Sequence, residues 1–405
     1  MGSLDSDVTL PSDGEDIDTI GSLSWSPVSD HLAAASWDGK VRIYDVSSTG
    51  HARHVSTMIG DQPVLSCDWA KDGTMVVAGG GDEKIRAMDL RTSQQAVIGA
   101  HDAPVRGVRF VEVPGTHGPV VVSGSWDRTV RFWDTRQRPG ARAAATLGCD
   151  ERVYALDARA QLLVVATAGL RVHLVDLGNP AAFLDTVDSP LTHQTKAVAA
   201  FPDGRGWGIA SIGGRCGIQT MDEDESSDTS FTFKCHRHTV ENTTDNPAAG
   251  LSVNQGKASN GSGSGSGSSV TKVTNIYAVN DIQFHPVHST TFATAGSDGS
   301  FVFWDRIARS RIRQYPPTPP VSSSSSSFSP SGKQGDGGSS SAITATSFSR
   351  DGRFFAYAVG YDWSRGCAGN TPETESKVVL HPVLEEDVKK PKPKPASRLR
   401  TGGRR

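Results

Sequence analysis

PVVVSGSWDRTVRFWD, residues 119–134, is the stretch whose reading decides the fold. Val120–Val122 is an apolar run and Ser123–Ser125 a small-residue segment. Trp126-Asp127-Arg128 reads as a turn, and Thr129 to Trp133 alternate before Asp134 closes the stretch. Two short β-runs joined by a tight turn make a hairpin. A single hairpin is marginal in water, so the weight of this one lies in its recurrence.

Variants stand at Ser36–Asp45, Gly80–Asp89 and Gly296–Asp305, with degraded copies at Ala168–Asp176 and Gly213–Asp222. The closing aspartates at 45, 89 and 134 are spaced by 44 and 45 residues. Each copy also has an upstream run ending in turn chemistry, such as Trp25-Ser26-Pro27, Lys71-Asp72-Gly73 and Arg350-Asp351-Gly352. The unit is therefore four short strands every 40–45 residues or so, the period of a radial repeat.

A repeat of this length ending in Trp133-Asp134 or Trp304-Asp305 resembles the WD-repeat family. The resemblance implies an all-β fold, a β-propeller whose radially packed blades leave only short edges. Six units close on an aspartate. A seventh begins at Ala342 and continues through Phe354–Tyr361 and Lys377–Pro382, so seven blades are expected. In such rings the last blade is often completed from the N-terminus, and Asp7-Val8-Thr9-Leu10 is the candidate strand. The expected organisation is an N-terminal arm over 1–20, a propeller over 21–388 and a basic disordered tail over 389–405. Two Gly/Ser/Pro tracts, at about 239–272 and 316–341, are too poor in apolar residues to pack and are expected as flexible loops.

The five cysteines are single and odd in number, which fits a reducing compartment better than a disulfide framework. No apolar run approaches the length of a membrane helix. The net charge of -3 is unevenly spread. Eight cations without an acid (Lys389, Lys390, Lys392, Lys394, Arg398, Arg400, Arg404 and Arg405) make the tail basic and leave the body acidic. Nucleic-acid contact through that tail is a reading that composition permits.

Asp38, Asp82, Asp127 and Asp298 each stand six residues before a strand-closing aromatic or Met. WD-type blades commonly hydrogen-bond such aspartates to a His and a Trp. His101, Asp127 and Trp133, together with Asp298 and Trp304, are therefore expected as scaffold rather than as catalytic groups. Gly79-Gly80-Gly81 lacks the following helix that a phosphate loop needs. Cys235-His236-Arg237-His238 has no second pair at zinc spacing, and no metal, cofactor or catalysis is expected. Glu385-Glu386-Asp387 reads as a solvated patch. Trp37 and Trp126 before the turn aspartates, and Trp363 after Asp362, are large aromatics in turns, a favoured composition at interfaces. Phe284 sits mid-strand and reads as core by position.

Longer strings resemble a narrower group, the nuclear mRNA export factors of the Rae/Gle type. They are AHDAPV at 100–105 with SGSWDRTVRFWDTR at 123–136, FTFKCHR at 231–237, IYAVNDIQFHPVH at 276–288, and FAYA with YDWS between 355 and 364. The resemblance spans nearly the whole chain, and only the insertions and the tail exceed the family pattern. It implies a non-enzymatic adaptor at the nuclear pore, in the nucleus and also the cytoplasm. Such an adaptor binds a nucleoporin segment of the GLEBS type and serves mRNA-protein particles as a monomer within a heterocomplex. Direct RNA contact and ties to spindle proteins belong to the same implication. A mitotic-checkpoint propeller of the Bub type is the alternative. Carried over by position, Lys234, His236 and Arg237 form a basic patch for acidic residues of the partner. Tyr361, Asp362 and Trp363, with Phe284, form a top-face contact.

Overall fold

The computed structural model describes the chain except for residues 13, 15–16, 117, 139, 222–228, 245–268, 317–340, 365, 368–369, 371–374 and 390–405. Asp222 and the tail from Lys390 onward thus lie outside the described residues. Seven antiparallel four-stranded sheets follow one another, and an eighth sheet is a two-stranded ribbon. The blade built on the quoted stretch comprises Val105–Val111, Val120–Ser125, Thr129–Asp134 and Ala145–Gly148. Its second strand is buried at every position, which is why that run is apolar or small throughout rather than alternating. The first strand of each blade touches the first strand of the next, so these strands line the axis. Seven apolar clusters each straddle two neighbouring blades, from Leu23 and Trp25 against Ala356 and Leu380 round to Phe303 against Phe355.

The repeat carries a local rule in its backbone. The turn between second and third strands places one residue at positive φ: Gly39 at 86°, Glu83 at 68°, Arg128 at 67°, Leu170 at 58°, Gly214 at 60° and Gly299 at 73°. Only Gly takes this region freely. The preceding aspartate compensates by accepting the backbone N–H two residues on, as in Lys40 to Asp38 (3.0 Å), Lys84 to Asp82 (3.2 Å) and Thr129 to Asp127 (2.9 Å). This Asx turn recurs at Asp298 and Asp362 in the last two blades, whereas the fourth and fifth blades have Gly169 and Gly213 in place of the aspartate.

The ring closes through the chain start. Val8–Thr9 pairs with Lys377–Pro382, Val8 opposite Leu380 and Thr9 opposite Val379. Asp7 accepts 2.6 Å hydrogen bonds from His381 Nδ1 and from the Tyr357 hydroxyl. Asp387 is not solvated as its acidic run suggests. It is fully buried on the short helix Glu385–Val388 and accepts from the Tyr315 hydroxyl at 2.6 Å. Asp7→Ala removes the acceptor for both partners while leaving the strand residues in place. It is expected to cost about 2–3 kcal/mol, as for charge-assisted hydrogen bonds, read as a lowered melting temperature. An unchanged melting curve would show that Asp7 does not hold the closure.

The tract expected as a loop over 239–272 is partly ordered. Arg237–Thr244 pairs with Ser269–Ile276 in register from Arg237–Ile276 to Thr244–Ser269. The β-branched content of HTVENTT and SVTKVT favours strands. The Gly/Ser run between them dominates the composition and masks this. The rest of that tract, and residues 317–340 of the second, lie outside the described residues.

Candidate partner-binding face

Because successive strands reverse direction, the turns between second and third strands share one face with the connections between blades. The ribbon 237–276 lies in the connection from Phe231–Lys234 to Val279–Phe284, so it rises from this face. The long segment between Phe354–Gly360 and Lys377–Pro382 is the equivalent turn of the last blade.

That last turn departs from the rule most. Asp362 accepts the Ser364 N–H at 3.1 Å, as the other turn aspartates do for theirs. The left-handed residue after it is Trp363, at φ 60°. No other blade puts an aromatic there. Trp363 stacks on Trp37 of the neighbouring blade, with ring centroids 4.9 Å apart and planes 15° from parallel. Its indole N–H is buried without an acceptor among the described residues. Left-handed backbone on a bulky residue and an unsatisfied donor are both costs, and such costs gather at ligand-binding positions. Tyr361 packs against Trp363 at 5.5 Å and donates to Gly366 O at 2.6 Å. Trp126 stands 40% exposed on the same face.

Lys234 is exposed at the end of its strand. Its cross-strand neighbour is Arg215. Like charges placed opposite each other destabilise a sheet, and neither has an ion-pair partner among the described residues. The pair leaves two positive charges side by side on this sheet. Arg215 escapes sequence reasoning because strand pairing, which no local pattern reveals, brings it to Lys234.

Other expected contacts are scaffold. His236 is buried. Its Nδ1 donates to Asp298 at 2.8 Å, its Nε2 lies 3.0 Å from Thr294 Oγ1, and Trp304 Nε1 donates to that hydroxyl at 2.9 Å. The same constellation in the quoted blade joins His101 to Asp127 (2.8 Å) and Ser123 (2.7 Å), with Trp133 Nε1 donating to Ser123 at 2.7 Å. His236 thus belongs to the repeat network and not to a surface patch. The Arg237 guanidinium donates to the carbonyls of Gly213 (2.8 Å) and Gly214 (3.3 Å), so it braces the neighbouring turn. Phe284 is buried against Phe201 and Phe292, which corrects its assignment to the top face. Asp362 is held by Ser297 and by Asn280 (3.3 Å) and acts as a tie to the sixth blade. In the first two blades the network has Arg in place of His: Arg42 donates to Asp38 at 2.6 Å and Arg86 to Asp82. Lys389 at the tail's root pairs with Glu385 at 3.1 Å.

The two histidines titrate in opposite senses. Burial disfavours the charge on both. At His236 the hydrogen bond and field of Asp298 outweigh burial and raise its pKa above the ordinary 6.5. At His101 burial, aided by the like charge of Arg131, outweighs Asp127 and lowers it. Among the described residues no group of three His, Cys, Asp or Glu is placed to hold a metal, and no helix is long and apolar enough to cross a membrane.

Seven blades, tetrads consumed in scaffolding, and a turn-built face with stacked indoles define a WD-repeat β-propeller. The WD domain, G-beta repeat model matches residues 12–45, 52–88, 92–134 and 268–305. An mRNA export factor, GLE2, of Chaetomium thermophilum is 40% identical over 404 residues, 99% of this chain and 96% of that protein. The Poly(A)+ RNA export protein of Schizosaccharomyces pombe is 38% identical over 97% of this chain and 95% of its own. A WD40 repeat protein, poxJ, of Penicillium oxalicum is 42% identical over 97% and 98%. The chain belongs to the WD-repeat mRNA export factor family of the Rae/Gle type.

Proposed function

We propose that the chain is a non-enzymatic adaptor that takes a GLEBS-type segment of a nucleoporin on this face and so supports export of mRNA-protein particles at the nuclear pore. The observation that carries the reading is the Trp37–Trp363 stack, built on a left-handed Trp where the other blades use glycine, a charged residue or leucine. The Lys234–Arg215 pair beside the ribbon supplies unneutralised positive charge for an acidic partner. The names of the relatives support a role in mRNA export, and work in the nucleus, at the nuclear envelope and in the cytoplasm is part of the same proposal. A mitotic checkpoint protein, BUB3.1, of Arabidopsis thaliana is 32% identical over 95% of this chain, so a kinetochore segment is the competing ligand.

Titration calorimetry of the full chain against both segments decides. The nucleoporin segment is expected to bind more tightly. Lys234→Glu is expected to weaken it tenfold or more, with the loss growing as salt is lowered. Stronger binding of the kinetochore segment would overturn the export reading. Unchanged binding in Lys234→Glu would remove the charge pair from the site.

A further inference from the structure

Every blade carries an irregularity at one place. The axis-lining strand shifts register after its first residue, between Val105 and Gly107 in blade three and between Thr195 and Ala197 in blade five. The same shift follows the first residue in four others and the second residue, Ile343, in the last blade. A bulge leaves its extra residue out of the ladder and re-aims the side chain. Each of these strands starts at the partner-binding face, so the seven bulged residues form a collar round the axial mouth. Arg106, Lys196 and Asn280 are three of them, and they line an axial cavity of about 80 Å³. At about 30 Å³ per liquid water, that space holds a few waters or one small oxyanion.

The charges in this cavity are unequally spent. Arg109 donates to Asp157 at 2.9 Å and to Val108 O at 2.8 Å. Asp281 accepts from Thr346 N, Thr346 Oγ1 and Ile282 N, each at 2.8 Å. Asn280 donates to Ile343 O at 2.9 Å. Asp362, outside the cavity lining, is tied to Ser297 and Ser364. Arg106 and Lys196 have no hydrogen-bond or ion-pair partner among the described residues. Both cations are pulled below their ordinary pKa values, chiefly by burial. Lys196 is further lowered by the charge of Arg106 and only partly compensated by Asp362. Two like charges held together in a partly desolvated mouth are costly unless an anion joins them.

We propose that the axial mouth is an oxyanion site in which Arg106 and Lys196 hold one carboxylate or phosphate group at the centre of the face. The planar guanidinium suits the two oxygens of such a group and the ammonium adds a point charge. The site does not depend on the nucleoporin reading, since a free anion suffices to occupy it.

The test melts the full chain in sodium phosphate and in sodium acetate, each against sodium chloride at matched ionic strength and pH. At an anion concentration tenfold above its dissociation constant, the melting temperature is expected to rise by about 2 °C. A rise with phosphate alone assigns a phosphate site, one with acetate alone a carboxylate site, and one with both a general oxyanion site. The Arg106→Gln/Lys196→Met double variant is expected to lose the response and to melt no lower than wild type in chloride. Each single variant serves in its place should the double fail to fold. No rise with either anion, or an equal rise in the variants, overturns the proposal.

Discussion

Asp298→Ala is expected to lower stability by about 3–5 kcal/mol, the cost of leaving a buried partner charge uncompensated. Asp298 is 2% exposed and accepts from His236 Nδ1 (2.8 Å), His238 Nε2 (2.9 Å) and Ser300 Oγ (2.7 Å). Burial raises its pKa, but these donors more than reverse that and hold it far below the usual carboxylate range. The loss strands His236, whose other nitrogen faces a threonine hydroxyl already taken by Trp304.

The pH dependence carries the sign. A depressed Asp contributes above its unfolded value of 3.8, and a raised His contributes below 6.5. The stability gap between wild type and the milder Asp298→Asn should therefore be widest between those values. It should shrink as pH rises through the elevated pKa of His236. His101 has the opposite linkage. The unfolded chain binds its proton more readily, so that blade loses stability as pH falls below about 6.5. Denaturation at several pH values checks both, and a gap constant from acid to alkali would mean that His236 is neutral in the fold. Partner affinity of the remaining folded Asp298→Asn should be near wild type, because the network lies beneath the face.

Trp363→Ala is expected to weaken the nucleoporin segment by about 30- to 1000-fold, the cost of truncating a central aromatic anchor at an interface. Trp37→Ala should approach that loss. The double variant should cost less than the sum, since each indole positions the other at 4.9 Å. Trp363→Gly sharpens the test. It relieves a left-handed backbone by about 1 kcal/mol and removes an unsatisfied buried N–H. It loses the stack in exchange. The melting temperature should stay near wild type while binding falls as in the alanine variant. Calorimetry with circular dichroism separates the outcomes. Binding within threefold of wild type in Trp363→Ala would dismiss the stack as a docking platform.

The legible part of this molecule is the part that repeats. An apolar run, an Asx turn and an alternating run recurring at 44 and 45 residues are local patterns. Local patterns determine strand order and blade count, and the WD-repeat resemblance implied the scaffold role of Asp127, Trp133 and Trp304. The misread residues fail for one physical reason, which is that strand pairing over long distances assigns their neighbours. His236 reads as surface because it sits in a basic string, yet the turn bringing Asp298 beneath it is 62 residues away. Phe284 is core, packed on Phe201 and Phe292 as its mid-strand position indicates, and only the family resemblance assigned it to the face. Composition hides the ribbon at Arg237–Thr244, since the Gly/Ser run between its strands outweighs them. The sequence alone determined seven recurring four-stranded units and which of its aspartates make turns, and the family resemblance implied that the units close into a ring. Only the tertiary structure decided which cations remain unpaired and where two tryptophans from distant segments meet. Charge neutralisation and ring stacking are settled by through-space proximity, and the closed ring sets that proximity independently of order along the chain.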